Sequence, residues 1–156
     1  MIIEIIALSA TAMAACSPMP EILRNLAVNQ ITAQAQQYVR ESDYGAAVSE
    51  MNTAIDLNSE NPKLYILRGQ IYLLLYEWDK SLDDYNTAID LAPDDADAYF
   101  YRGVLYYSVL QTGQALHEDA LADFRHYLEL APQGDHAGEA RDYVDKIEAE
   151  LAALNP

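Results

Sequence analysis

The chain has one cysteine, one tryptophan and two phenylalanines among 156 residues, and nine Lys and Arg against 25 Asp and Glu. One cysteine excludes an internal disulfide. The formal net charge of −16 argues against a nucleic-acid partner, whose binding needs lysine and arginine to neutralise phosphates; an acidic surface serves solubility instead. There is no glycine-rich phosphate loop and no Gly-x-Ser-x-Gly elbow. His117, His126 and His136 stand nine and ten residues apart, so no two lie on adjacent turns of one helix. His117-Glu118 opens like the zinc-protease motif, but Leu121 stands where its second histidine belongs. Asp94, Asp95 and Asp97 lack the spacing and the glycine of a calcium loop. No catalytic residue, metal site or cofactor is expected, and the chain reads as non-enzymatic.

What is present is a repeat. Residues 64–73 read LYILRGQIYL and residues 98–107 read AYFYRGVLYY, with Tyr, Arg, Gly and Tyr in the same relative places, 103 − 69 = 34 apart. Another 34 residues upstream the columns are kept in kind: Tyr65 maps to Ile31, Gly69 to Ala35 and Tyr72 to Tyr38. MNTAIDLNSEN at 51–61 returns as YNTAIDLAPDD at 85–95 and as FRHYLELAPQG at 124–134, the last after five extra residues between Tyr106 and Ala120. A fixed period of this size signals stacked units rather than a unique fold. Within each unit apolar residues fall at three and four spacings, twice per unit, which is helical periodicity. The pattern predicts helices at about 28–41, 44–57, 62–75, 79–91, 96–109 and 117–130, paired as hairpins within one domain whose 51% hydrophobic content suffices for a core.

These residues resemble the tetratricopeptide repeat (TPR) family in its arginine-glycine form. Tyr65, Gly69, Tyr72, Ser81, Tyr85, Ala88 and Pro93 fill the signature columns of the second unit, and Tyr99, Gly103, Tyr106, Ala120, Phe124 and Pro132 those of the third, where Tyr127 replaces the usual alanine. In the first unit Ile31, Ala35, Tyr38, Ala47, Met51 and Ala54 match in type, with Ser59 in place of the proline. The resemblance implies an all-α solenoid of three hairpins, 28–61, 62–95 and 96–134. Gly69 and Gly103 are expected where paired helices press together, with the aromatic residues filling the layers between helices. Arg68 with Asp84 and Arg102 with Asp123 are candidate ion pairs across the hairpins; the first unit carries Gln34 and Glu50 at those places. Residues 135–156 supply an amphipathic helix with Ala140, Val144, Ile147 and Leu151 on one face, expected to cap the array.

The N-terminus differs from all of this. From Ile2 to Ala15 only Glu4 is charged, and the run stops just before Cys16. It is too short to span a bilayer comfortably, which takes about 20 residues, but it suits the apolar region of a secretory signal. Met13-Ala14-Ala15-Cys16 resembles the bacterial lipoprotein signal, which implies removal of 1–15, lipidation at Cys16 and a cell-envelope location facing outside the cytoplasm. Residues 16–27 are then a tether or an N-terminal helix. The alternative is a cytoplasmic, self-associating scaffold in which Ile2, Ile5, Ile6 and Leu8 belong to an uncleaved helix.

The family's concave face projects onto Asn29, Thr32, Gln36, Val39 and Arg40, then Lys63, Ile66, Gln70, Leu73 and Leu74, then Asp97, Phe100, Val104, Tyr107 and Ser108. Of these Lys63, Ile66, Gln70, Leu73, Phe100, Val104 and Tyr107 are the expected partner-binding groove, with an apolar strip that the core does not require. Thr32, Gln36 and Leu74 stand where chaperone-binding relatives clamp a C-terminal carboxylate with Lys, Arg and Asn. The expected partner is therefore another protein, offering a peptide or helix with apolar anchors.

Overall fold

The computed structural model describes residues 19–109 and 114–154, which form seven helices: α1 (Glu21–Arg40), α2 (Tyr44–Leu57), α3 (Pro62–Leu74), α4 (Trp78–Leu91), α5 (Ala96–Val109), α6 (Gln114–Leu130) and α7 (Ala137–Leu154). They pair antiparallel as α1/α2, α3/α4 and α5/α6, and α7 closes the array against α6. This is the three-hairpin all-α solenoid with a C-terminal capping helix that the repeat predicts. Local chemistry sets several boundaries. The Asp43 carboxylate accepts from the Ala46 amide at 3.0 Å and the Asn61 side chain from the Lys63 amide at 3.1 Å, capping α2 and α3. Pro62 sits in the first turn of α3, where its missing N–H costs nothing.

Two boundaries differ from expectation. Helix α1 begins at Glu21 rather than about 28, so residues 21–27 are helix and not tether, and it stays in register because Val28 and Ala35 are buried against α2. Helix α6 begins at Gln114 rather than 117 and runs for 17 residues, taking up part of the five-residue insertion. Residues 1–15, where a secretory signal is expected, and Cys16 lie outside the described residues, as do 110–113.

At the hairpin crossings the glycines let an aromatic ring approach the backbone closely, most closely at Gly69. A Cβ on Gly69 would lie 2.6 Å from Tyr85 Cε1, and one on Gly103 would lie 3.1 Å from Phe124 Cε1. Tyr85 and Phe124 are fully buried, as are Ala88 and Ala120 on the same second helices, so the aromatic ring of one helix lies on the bare backbone of the other. The Ser81 hydroxyl donates to the Gly69 carbonyl at 2.9 Å, tying the same crossing. Pro93 and Pro132 are exposed at the turns after α4 and α6.

The four signature tyrosines Tyr65, Tyr72, Tyr99 and Tyr106 are half-buried; Tyr65 packs between two core clusters, as expected, and Tyr106 against a third. All four flank the arginines: the Arg68 guanidinium carbon lies 5.6 Å from the Tyr65 ring centre and 5.8 Å from that of Tyr72, and Arg102 lies 5.6 and 5.9 Å from Tyr99 and Tyr106. Spacings of three and four place all three side chains on one helix face, and the ring faces attract the cation.

Each arginine then reaches both neighbours. Arg68 donates to the two Asp84 carboxylate oxygens at 2.9 and 2.7 Å, and Arg102 to those of Asp123 at 2.8 and 2.8 Å, so the expected cross-hairpin pairs form. Their remaining nitrogens donate to Asn52 at 2.7 Å and Asn86 at 2.8 Å in the preceding hairpin. Burial pushes Asp84 and Asp123 up from the ordinary carboxylate range while their arginines pull them back. Arg68 and Arg102 are raised by their hydrogen bonds to those carboxylates. Desolvation thus offsets much of the attraction, and the pairs matter most through the penalty for breaking them.

Candidate functional site

The first helices α1, α3 and α5 line the concave face, and burial along it is uneven. Between α1 and α3 lies an open cleft of about 290 Å³, floored by Met51 of α2. Its α1 wall is Ala35, Gln36, Val39 and Arg40, and its α3 wall is Leu67, Gln70, Ile71 and Leu74. Helical periodicity explains the arrangement: Ala35, Met51 and Ile71 point into the core and form the base, while positions a turn away form the rim. Leu74, at the end of α3, is 46% exposed. Gln36 and Gln70 occupy the same place in successive repeats, 70 − 36 = 34, and put two amides on opposite walls.

The cleft is close to neutral in a chain of charge −16. Arg40 is the one charged residue in its lining, and its guanidinium already donates to Gln37 at 2.7 and 3.1 Å. Apolar walls with a few amides suit an apolar side chain whose backbone needs hydrogen-bond partners.

The expected groove is only partly there. Gln70 lines the cleft, as do Gln36, Val39, Arg40 and Leu74 from the wider projection. Lys63 is exposed at the start of α3, and Leu73 and Val104 are half-buried. Ile66, Phe100 and Tyr107 are corrections, because they are buried at 5%, 2% and 5% exposure and belong to the core. Ile66 packs with Tyr85, Ala98 and Leu105, beneath the next hairpin. The Phe100 ring stacks on His136, 4.1 Å between centres and 9° from parallel. Tyr107 is covered by α7: its hydroxyl donates to Glu150 at 3.0 Å, the Lys146 ammonium lies 4.9 Å from its ring centre, and Tyr143 meets it edge-on at 5.3 Å. An exposed apolar strip across all three repeats therefore does not exist.

Sequence reasoning missed how the third repeat is sealed. Tyr127, in a column that usually holds alanine, is 1% exposed and its hydroxyl accepts from the His136 amide at 3.0 Å. The Tyr101 hydroxyl lies 3.2 Å from the same histidine's Nε2. His136 thus works as a packing residue at the α6–α7 turn. The departure of Tyr127 from its column was the available signal. The cleft residues Leu67 and Ile71 carried none, because periodicity marks them simply as apolar.

Among the described residues no group of three or more His, Cys, Asp and Glu is placed to hold a metal ion, and no helix is long and apolar enough to cross a membrane.

Comparison with known proteins agrees with this geometry. Residues 77–109, which span α4 and α5, match a family model described as TPR repeat. Among curated proteins none matches the chain. Among solved structures, the first TPR of Spaghetti (RPAP3) bound to the HSP90 peptide SRMEEVD is 26% identical with a TM-score of 0.69, over 80% of this chain and 93% of that one. The Arabidopsis OM64 TPR domain is 26% identical with a TM-score of 0.67, over 79% of this chain and 98% of that one. The Sgt2 TPR domain from Aspergillus fumigatus shares the fold at 16% identity with a TM-score of 0.71, over 89% of this chain and 84% of that one. These likenesses support the tetratricopeptide reading and, with it, a protein-interaction module.

Proposed function

We propose that the chain is a non-enzymatic adaptor of the bacterial cell envelope, held to a membrane by lipid on Cys16, whose cleft between α1 and α3 takes a peptide or helix of another protein. The observation that carries the binding reading is the cleft itself: its apolar floor is preformed, and Leu74 is exposed at its rim. A similar fold bound to an HSP90 peptide supports a peptide ligand. The chemistry of that ligand differs here. With Gln36, Gln70 and Leu74 on the walls and Arg40 engaged by Gln37, the cleft favours an apolar anchor flanked by peptide backbone over a terminal carboxylate.

The binding reading is tested by a photo-crosslinking residue at position 74, in the chain as it is made in its native host. A protein partner crosslinked from 74, and lost in Val39→Asp, is the expected result. Crosslinking that persists in Val39→Asp moves the site off the cleft. The anchoring reading rests on Met13-Ala14-Ala15-Cys16 and is tested by the intact mass of the protein from the native membrane fraction. A species that begins at Cys16 with added acyl mass supports it; one that retains Met1 without lipid favours the cytoplasmic scaffold.

A further inference from the structure

The first two turns of α1 carry apolar residues that no other described residue covers. Ile22 is 82% exposed, Leu23 and Leu26 are each 54% exposed, and Met19 just before the helix is 51% exposed. At about 100° per residue, Ile22, Leu26 and Leu23 fall within an arc of about 100° on one face. Further along that arc come Gln30, Ala33, Gln37 and Arg40, so the patch is confined to the N-terminal end. The opposite face is occupied, since Val28 packs into the first hairpin. An exposed apolar patch of this kind marks a contact surface.

Charge and chain length say what the contact is. Residues 17–27 hold Arg24 against Glu21, a net of 1 − 1 = 0, in a chain of net −16. This end approaches a phospholipid surface without the repulsion that the net acidic charge of the whole chain would bring. Cys16 precedes Met19 by three residues and Ile22 by six. At roughly 3.3–3.6 Å per extended residue, Ile22 lies no more than about 20 Å along the chain from the anchored sulfur. An interfacial helix buries its apolar face about 5–10 Å into the boundary between headgroups and acyl chains, which is within that reach.

From these observations we infer that Met19, Ile22, Leu23 and Leu26 form a second membrane contact, with the start of α1 lying in the bilayer interface beside the lipid on Cys16. The inference rests on the anchoring reading above. An apolar helix face lying in the interface beside a lipid anchor adds buried apolar area to the attachment. It also orients the solenoid: the N-terminal end of the superhelix meets the membrane, and the acidic repeats and α7 project away from it.

Because Cys16 is the sole cysteine, the full chain can be coupled through it to a maleimide lipid in phosphatidylcholine vesicles, or to a water-soluble maleimide as the control. Amide hydrogen exchange of residues 19–27 is the readout. The expected result is exchange slowed several-fold on vesicles relative to the control, and a return to the control rate in Ile22→Ser/Leu26→Ser. Those side chains are exposed, so helicity by circular dichroism is expected to match the parent and to separate loss of contact from loss of fold. Equal exchange on vesicles and in solution overturns the inference. Protection that rises with concentration in the soluble control overturns it too, because a second copy is then the occupant. The native mass decides the anchoring reading separately, so a lipidated chain without protection of 19–27 refutes this inference and leaves the anchor standing.

Discussion

Between α1 and α3 the concave face is an open cleft, whereas between α5 and α7 the equivalent positions are filled. Val39 and Tyr107 occupy the same column, yet Val39 lines a cavity while Tyr107 is 5% exposed beneath Tyr143, Lys146 and Glu150. The two ends also differ in their staples. Arg68 and Arg102 each bind an aspartate in their own hairpin and an asparagine in the preceding one, while the first hairpin has Gln34 at the arginine's place. A column in a repeat therefore specifies which way a side chain points, and the element packed beyond it decides whether that direction is core or solvent. The closed end uses its aromatics for stability, and the open end leaves its rim exposed.

The contrast predicts its largest effect at the closed end. Phe100→Ala and Tyr107→Ala each remove a buried ring and are expected to cost about 3–5 kcal/mol, read as a lowered midpoint in urea unfolding. Val39→Ala, at the open end, is expected to cost under about 1.5 kcal/mol. Equal losses at Tyr107 and Val39 would erase the distinction between a filled and an open groove.

The ion pairs come next. Arg102→Ala leaves Asp123 buried without its partner and is expected to cost about 2–3 kcal/mol, below the fully buried range because the arginine is partly exposed. In a double-mutant cycle with Asp123→Ala the second substitution is expected to add little. Full additivity would mean that the two side chains do not interact energetically. Gln34→Ala in the first hairpin is expected to change stability by no more than about 0.5 kcal/mol.

The smaller effects separate the two glycine crossings. Gly69→Ala forces a methyl group to 2.6 Å from the fully buried Tyr85 ring and is expected to destabilise by about 1–2 kcal/mol after the gain in helix propensity. In Gly103→Ala the approach to Phe124 is 3.1 Å, and the same gain is expected to bring the change within about 1 kcal/mol of zero. Smallest is Leu74→Asp: an exposed rim residue is replaced, and thermal melting is expected to move by no more than the equivalent of about 0.5 kcal/mol. A large loss there would show that the cleft rim is part of the core.

Most of the fold was legible because it repeats. Tyr65, Arg68, Gly69 and Tyr72 recur 34 residues later as Tyr99, Arg102, Gly103 and Tyr106, and a column that is kept twice reports a contact made twice. Arg68 with Asp84 and Arg102 with Asp123 could be read this way. Asn52 and Asn86 recur just as plainly inside NTAIDL, but their bonds run to the following hairpin, and sequence spacing alone does not name a partner across a stack. The groove was less legible. Ile66 and Phe100 share a column with Thr32, and a side chain that points to the concave face is exposed only if no later element reaches it.

The sequence by itself determined the helical hairpins, their number, the bare backbone at Gly69 and Gly103, and the pairing of arginine with aspartate, because each depends on interactions local to one repeat or copied between repeats. The tertiary structure decided that α1 extends back to Glu21 with Ile22, Leu23 and Leu26 exposed, and that α7 fills the groove of the third repeat. It also decided that the open cleft lies between α1 and α3. These depend on which surfaces meet once the hairpins stack, and burial at that level is a property of neighbours in space, which no periodicity along the chain encodes.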